Sequence, residues 1–111
     1  MIASLQRVNV QSGNLHGVID KNLFKLPSLI EVDLDKNSLS GNISVEEASS
    51  VLRLDLNFNF LSGGVDFLTS FPDLQEAHLD NNNFEGKIPA SIGDLHNLSK
   101  YKSSVYVLTM F

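Results

Sequence analysis

Apolar residues recur along this chain at fixed offsets within a unit that repeats every 22 to 24 residues. Each unit has apolar residues at its first, fourth, sixth, eleventh and fifteenth positions, with polar residues between them. The units begin near Leu5, Leu29, Val51 and Leu74, and a partial unit begins at Leu98. A period of this length is typical of solenoids, in which each unit forms one coil and buries its apolar edge against the neighbouring coils.

The alternation at the start of each unit predicts a short β-strand with one buried face. We place these strands near residues 7–11, 31–35, 53–57 and 76–80. We expect them to stack as a parallel sheet on the concave side of the solenoid. The second half of each unit is less regular, with apolar pairs such as Leu23 and Leu26, and predicts a convex side of irregular, 3-10 or short helical segments. The predicted fold class is an α/β solenoid of about four to five coils.

Two other positions of the unit predict structural roles. The ninth position holds Asn37, Asn59 and Asn82, and Gly13 in the first unit. An inward asparagine side chain can donate and accept hydrogen bonds to backbone groups of a turning coil, so we expect a ladder of these asparagines along the solenoid. The thirteenth position is glycine throughout, at Gly17, Gly41, Gly63 and Gly86. This repetition predicts a backbone conformation or a close approach that a β-carbon would obstruct.

Composition narrows the classes of function. The chain has 111 residues, no cysteine and a net charge of −5. The negative balance disfavours nucleic acid or an anionic membrane as partner, and the missing cysteines exclude disulfides and thiolate chemistry. No stretch approaches the about 20 apolar residues of a membrane span, so we expect no direct membrane insertion by this segment. The first residues also lack the basic start and apolar run of an export signal.

The outward positions of the strands form the concave face, where solenoids usually bind their partners. The third position alternates in charge, which favours a ladder of ion pairs through Arg7, Glu31, Arg53 and Glu76. The fifth, seventh and eighth positions supply our candidate binding residues, namely Asp33, Asp35, Asp55, Asn57, Phe58, His78 and Asp80. An aromatic anchor beside carboxylates favours a basic or hydroxyl-rich ligand, such as a peptide with lysine or arginine. The alternative interpretation is ordinary variation of a solvated surface.

Motifs for catalysis and metal binding fail on inspection. The stretch that begins at Asp33 resembles the start of an EF-hand loop, but Ser38 and Ser44 stand where that loop needs glycine and glutamate. The histidines have no second ligand at helical spacing, and no serine nucleophile can be assigned to a base. The glycines are spread one per unit instead of forming a phosphate loop. We therefore predict that this chain is not an enzyme and has no metal and no cofactor.

The sequence LDNNNFEGKIP at residues 79–89 resembles the plant-specific subtype of leucine-rich repeat, as do the Leu-Ser-Gly elements that begin at Leu39 and Leu61. The resemblance covers about residues 1–98. It implies a protein- or peptide-recognition module, carried by a receptor-like protein or receptor-like kinase that is anchored at the cell surface and functions in signalling. A kinase domain would belong to the full-length parent. The alternative that it implies is a soluble inhibitor of a cell-wall-degrading enzyme, similar to polygalacturonase inhibitors.

The chain also departs from that subtype. Proline stands at the sixteenth position of the last full unit alone, and the paired-cysteine caps are missing. We therefore expect a fragment of a longer receptor or a truncated gene model, without its flanking repeats or caps. Residues 99–111 form a divergent tail, which either folds back over the last coil or lies beyond the natural reading frame. Asn42 and Asn97 begin Asn-x-Ser sequons and are glycosylation candidates in a secreted parent.

Overall fold

A computed structural model describes residues 4–85 as a stack of coils, each with two short parallel strands. The strands are β1 (Arg7–Asn9), β2 (His16–Val18), β3 (Glu31–Asp33), β4 (Ser38–Asn42), β5 (Arg53–Asp55), β6 (Phe60–Gly63), β7 (Glu76–His78) and β8 (Asn83–Phe84). The helical segments in this part of the chain are 3-10 turns at Lys21–Lys25 and Asp66–Ser70, in the return halves of the first and third coils. The predicted solenoid is confirmed; below, coils 1 to 4 are those that begin at the four full units.

The concave sheet has the strand order β1-β3-β5-β7, all parallel, and its register pairs equivalent positions of successive units. Each strand is two residues shorter than predicted, because the eighth residue of the unit adopts a left-handed conformation and turns the chain. The eighth residues of the four units are Ser12, Lys36, Phe58 and Asn81, with φ between 52° and 59°. Hydrogen bonds between coils continue past the strands, as from Lys36 N to Asn57 O at 2.9 Å.

A second parallel sheet, with the order β2-β4-β6-β8, was not predicted from the sequence. It contains the Leu-Ser-Gly elements, in which Leu39 and Leu61 point into the core. Gly41 and Gly63 lie in these strands with φ of +79° and +85°, which an L side chain rarely adopts. A β-carbon on Gly63 would lie 2.5 Å from Oδ1 of Asn42. The glycine prediction is thus confirmed within residues 4–85, and Gly86 lies outside them.

Leucines and valines at the inward positions of coils 2 to 4 form one continuous core. On the convex side, Phe24 is fully buried and meets Phe71 edge to face, with ring centroids 5.4 Å apart. Our prediction of Leu23 and Leu26 as the apolar residues of this return segment was incomplete, because both are only partly buried and Phe24 fills the core. The phenyl rings belong to coils 1 and 3, so they meet across the return segment of coil 2.

That return segment, residues 43–50, has no regular secondary structure. Ile43 and Val45 pack against the core while only partly buried, and polar contacts attach the rest. The hydroxyl of Ser50 donates to Leu29 O at 2.6 Å, and Ser49 N donates to Ser70 O at 2.8 Å. The carboxylate of Glu46 forms ion pairs with Lys21 at 2.9 Å and Lys25 at 2.8 Å. These lysines hold the pKa of Glu46 at about 2, below its ordinary value. These polar contacts therefore hold the return segment of coil 2 in place, where few apolar side chains are available to do so.

The first coil has no neighbour on one side among the described residues. Leu5, Val10 and Leu15 are therefore partly exposed, whereas the equivalent leucines of coil 2 are buried. In the described part of the chain, no helix has both the length and the apolar content to cross a membrane. The predicted fifth unit at Leu98, the tail at residues 99–111 and the sequon at Asn97 all lie outside residues 4–85.

Candidate functional site

The asparagines of the ninth position connect each coil to the preceding one. Each Oδ1 accepts a hydrogen bond at 3.0 Å from the backbone N–H of the preceding coil's eleventh residue, from Leu15 to Asn37, Leu39 to Asn59 and Leu61 to Asn82. Each Nδ2 donates to the preceding coil's sixth carbonyl, from Asn37 to Val10, Asn59 to Leu34 and Asn82 to Leu56. Because these bonds satisfy backbone groups that a turning chain leaves unpaired, the ladder fixes the spacing of the concave strands.

The third-position column of charges runs along the concave sheet as predicted. The carboxylate of Glu31 lies between Arg7 and Arg53, at 3.6 Å and 3.7 Å from their guanidinium nitrogens. Glu76 pairs with the imidazole of His78 on the same strand. The arginine side chains are more than half exposed, so these contacts add little to the free energy of unfolding. Their main effect is to place alternating charges along one edge of the concave face.

Three carboxylates meet beside this column because stacked coils bring the fifth and seventh positions together. Asp33 and Asp55 are paired in the register of β3 and β5, and one oxygen from each lies within 4.8 Å of an oxygen of Asp35. Asp33 accepts hydrogen bonds from Gln11 Nε2 at 2.7 Å and from Asp35 N at 3.3 Å. Asp35 Oδ1 is buried and has no hydrogen-bond partner. We call Asp33, Asp35 and Asp55 the acidic cluster.

Burial weakens the acidity of this cluster. The pKa of Asp35 is raised to about 6. Burial is the largest cause, followed by a hydrogen bond between the side chains of Asp35 and Asp33 and by the negative charge of Asp33. Burial also raises the pKa of Asp55, although the N–H of Asn57 opposes the shift. Like charges held this closely disfavour one another's ionised forms. A cation bound here would therefore restore the ionised state and recover electrostatic energy.

A shallow pocket of about 90 Å³ opens on the concave face across β3, β5 and β7. Its walls are Glu31, Val32, Asp33, Arg53, Leu54, Asp55, Glu76 and His78. Three predicted binding residues, Asp33, Asp55 and His78, line it directly. Glu31 and Glu76 also line it, although the sequence pattern predicted them only as members of the ion-pair ladder. The signal that could have placed them there is their outward position on the same strands as Asp33, Asp55 and His78.

The other candidate residues lie next to this pocket. Asn57 Oδ1 accepts a hydrogen bond from Asp80 N at 2.6 Å, so that side chain ties coil 3 to coil 4. Asp80 lies one coil beyond the acidic cluster, and burial raises its pKa. The side chain of Phe58 is 50% exposed. Asn42 is exposed at the end of β4, where its Oδ1 accepts from the Ser62 hydroxyl at 3.3 Å; its glycosylation stays a prediction.

The acidic cluster also bears on the prediction that no metal binds. Linear motifs could not reveal it, because its members come from two coils. Three carboxylates match the oxygen chemistry of Ca²⁺, which takes about 6–8 oxygen ligands. Several of these oxygens, however, already accept hydrogen bonds from Gln11, Asp35 N and Asn57 N. A positively charged hydrogen-bond donor needs fewer oxygens than Ca²⁺ and suits the cluster better.

The raised pKa of Asp35 predicts a pH-dependent effect of Asp35→Asn. Because its folded-state pKa of about 6 lies above 3.8, the folded chain binds the proton more tightly. The stability that protonation contributes is present below pH 3.8 and is lost as pH rises through about 6. The substituted asparagine cannot ionise, so we expect a higher melting temperature than the parent at pH 7.5 and a similar one at pH 4.

Thermal melts followed by circular dichroism between pH 4 and pH 8 measure this effect. The matched control is Asp73→Asn, which removes an exposed carboxylate from the turn before Leu74. A difference between the Asp35→Asn protein and its parent that stays constant with pH would contradict the raised pKa.

The coils, the asparagine ladder and the open concave sheet define a leucine-rich solenoid, and comparisons with known proteins agree. The family model described as Leucine Rich Repeat matches residues 73–95. Receptor-like protein 7 of Arabidopsis thaliana is 38% identical over 86% of this chain, and Receptor-like protein 54 of the same plant is 37% identical over 88%. The chain belongs to the leucine-rich-repeat family, and its repeats are of the plant type that these receptor-like proteins contain. It spans 10% and 13% of those two relatives.

A solved structure has the same fold. A chain in the crystal structure of the BIR3–SERK2 complex from Arabidopsis thaliana superposes with a TM-score of 0.72 and 30% sequence identity. The match covers 82% of this chain and 50% of that chain. This similarity supports the solenoid architecture independently of the repeat pattern.

Proposed function

We propose that this array is a recognition segment of a cell-surface receptor-like protein, and that its concave face binds a protein or peptide partner. The acidic pocket on β3, β5 and β7 accepts one basic side chain of that partner. The array contributes binding to signalling, and any kinase activity belongs to other parts of a longer parent. The observation that carries this proposal is the acidic cluster at the wall of an open pocket on the concave sheet.

The size of the pocket favours a side chain over a free small molecule. Pockets for drug-sized ligands have volumes of about 300–1,000 Å³, several times the volume of this one. A space of about 90 Å³ holds the charged end of one side chain. A partner that inserts one side chain gains the rest of its contacts from the strand surface around the pocket, as a protein or peptide does.

The charge of the pocket favours arginine or lysine in that position. Asp33 and Asp55 lie directly opposite each other on neighbouring strands, an arrangement that is unfavourable unless a cation lies nearby. A guanidinium group forms paired hydrogen bonds with carboxylates, and burial strengthens them. Arg53 lies on the same wall and limits the affinity, so we expect a specific contact of modest strength.

Relatives and the structural neighbour support a protein partner. The two relatives are receptor-like proteins, and the structural neighbour is in a crystal of a complex between BIR3 and SERK2. These names favour a receptor segment over the soluble inhibitor of a cell-wall-degrading enzyme. They support the cell surface as the location that we propose.

The test is a titration of ¹⁵N-labelled protein with N-acetyl-arginine amide, in buffer that contains EDTA so that divalent cations cannot compete. We expect binding with a Kd of the order of millimolar, and amide shifts that map to β3, β5 and β7. N-acetyl-citrulline amide is the matched neutral ligand, and it should produce no such shifts.

Variants then assign the contact to the acidic cluster. Asp33→Asn with Asp55→Asn should weaken binding of the arginine derivative by about tenfold, or about 1.4 kcal/mol, because each of two partly exposed ion pairs contributes about 0.2–1 kcal/mol. Asp73→Asn should leave the affinity unchanged. Equal binding of the citrulline derivative, or unchanged affinity in the double variant, would rule out the acidic pocket as the binding site.

A further inference from the structure

Coil 3 differs from the other coils on the flank between the two sheets. The eighth and tenth positions of the unit are phenylalanines there, Phe58 and Phe60. In the other coils both positions are polar, with Ser12 and Asn14, Lys36 and Ser38, and Asn81 and Asn83. The side chains of Phe58 and Phe60 are 50% and 60% exposed. We call these two side chains the phenylalanine ridge.

The exposure of both phenylalanines follows from the residue between them. Asn59 stands between them and points into the core, where it is 5% exposed, so the residues on either side of it point outward. Phe58 has a φ of +59°, a conformation that is unfavourable for aromatic residues and that asparagine adopts easily. The coil imposes this conformation, with Phe58 N donating to Asp80 O at 3.0 Å. Folding therefore does not favour phenylalanine at this position.

The ridge continues the acidic concave surface. Asn57 directly precedes Phe58, and it occupies the seventh position between Asp35 of coil 2 and Asp80 of coil 4. The N–H of Asn57 donates to Oδ1 of Asp55, and Oδ1 of Asn57 accepts from the N–H of Asp80. Lys36 occupies the eighth position of coil 2, equivalent to Phe58, and its charge offsets part of the negative charge at Asp35. An exposed aromatic pair beside carboxylates is complementary to a segment that is both basic and apolar.

We propose that the phenylalanine ridge and the acidic pocket form one docking surface for an extended segment of a protein partner. In this arrangement the segment places an arginine or lysine side chain in the pocket and an apolar side chain, a few residues further on, against Phe58 and Phe60. The inference rests on the proposed function and specifies the chemistry of the partner. Strand residues rise about 3.3 Å each, and the ridge begins three positions after Asp55, so the two anchors are a few residues apart.

The test uses peptides of the form acetyl-Arg-(Gly)n-Leu-amide, with one to four glycines, titrated into the whole ¹⁵N-labelled chain. The matched peptides carry serine in place of leucine. At the best spacer length we expect the leucine peptide to bind about fivefold more tightly than its serine partner, with added amide shifts at residues 58–60. In the Phe58→Ser, Phe60→Ser protein that gain should fall below twofold, while the serine peptides bind as they do to the parent.

Two further variants keep the outcome interpretable. Val18→Ser removes an exposed apolar side chain of coil 1 and should leave the leucine gain intact. Phe58→Asn suits the left-handed backbone, so it should raise the melting temperature while reducing the leucine gain. No leucine gain at any spacer, or a gain that survives the loss of both phenylalanines, overturns this inference and leaves the proposed function standing. Failure of N-acetyl-arginine amide to bind removes the proposed function itself.

Discussion

Replacing Leu61 with alanine lowers the free energy of unfolding by about 2–5 kcal/mol. Leu61 is fully buried at the eleventh position of coil 3, between coils 2 and 4. Alanine leaves a cavity there that strands held by backbone hydrogen bonds on both sides cannot close. A domain of this size has a total stability of about 5–15 kcal/mol, so the loss is a large share of it. Urea denaturation followed by circular dichroism measures the change.

Leu15→Ala is the matched control for this experiment. It changes the same residue type at the same position of coil 1, where the side chain is 36% exposed because no described coil covers it. We expect a smaller loss of about 1–2 kcal/mol, since about a third of this residue's surface already meets solvent and no described coil packs over it. An equal loss of unfolding free energy in the two variants would mean that stacking between coils does not determine how much a leucine at this position stabilises the fold.

Replacing Asn59 with leucine lowers the free energy of unfolding by about 3–5 kcal/mol, because it removes the acceptor of one buried N–H and a donor from two buried carbonyls. The amide of Leu39 loses its acceptor at 3.0 Å, and the carbonyl of Leu34 loses a donor at 3.0 Å. Leucine is similar in size to asparagine, so the loss reports missing hydrogen bonds more than missing volume. Urea denaturation gives the total effect, and faster hydrogen exchange at Leu39 assigns it to the ladder.

Asn83→Leu is the control, because it makes the same substitution at an exposed residue of β8. We expect a change within about 0.5 kcal/mol. If Asn59→Leu were equally mild, the asparagine hydrogen bonds would contribute no net stability, and the apolar inward positions alone would hold the coils.

Most of the concave sheet could be predicted from the sequence, because a fixed period places equivalent residues side by side. The inward positions and the third-position column both follow from counting residues, and the strand register agrees. The second sheet could not be recognised in the same way. Its strands depend on left-handed turns at Lys36 and Phe58, and neither lysine nor phenylalanine signals such a conformation.

The candidate site was predicted only in part, for a related reason. The pattern placed Asp33 next to Asp55 on neighbouring strands, which the register confirms. It could not give the burial of Asp35 or the orphaned oxygen of that carboxylate, because these depend on how the turn at Lys36 folds back. The burial of Phe24 was not predicted because the return segments do not follow the repeat pattern. No equivalent aromatic residue occurs in the return segment of coil 2.

The edge-to-face contact between Phe24 and Phe71 has a consequence for how the array melts. In an ideal solenoid each coil interacts only with its immediate neighbours, so a weak coil can open and divide the stack. Here the rings of coils 1 and 3 touch over the polar arc of coil 2. We expect opening of residues 43–50 to disturb this ring contact too, so that the three coils unfold as one cooperative unit. The return segment of coil 2 is therefore stabilised by a contact between the coils on either side of it. We expect the thermal unfolding of the array to be more cooperative than contacts between adjacent coils alone would make it.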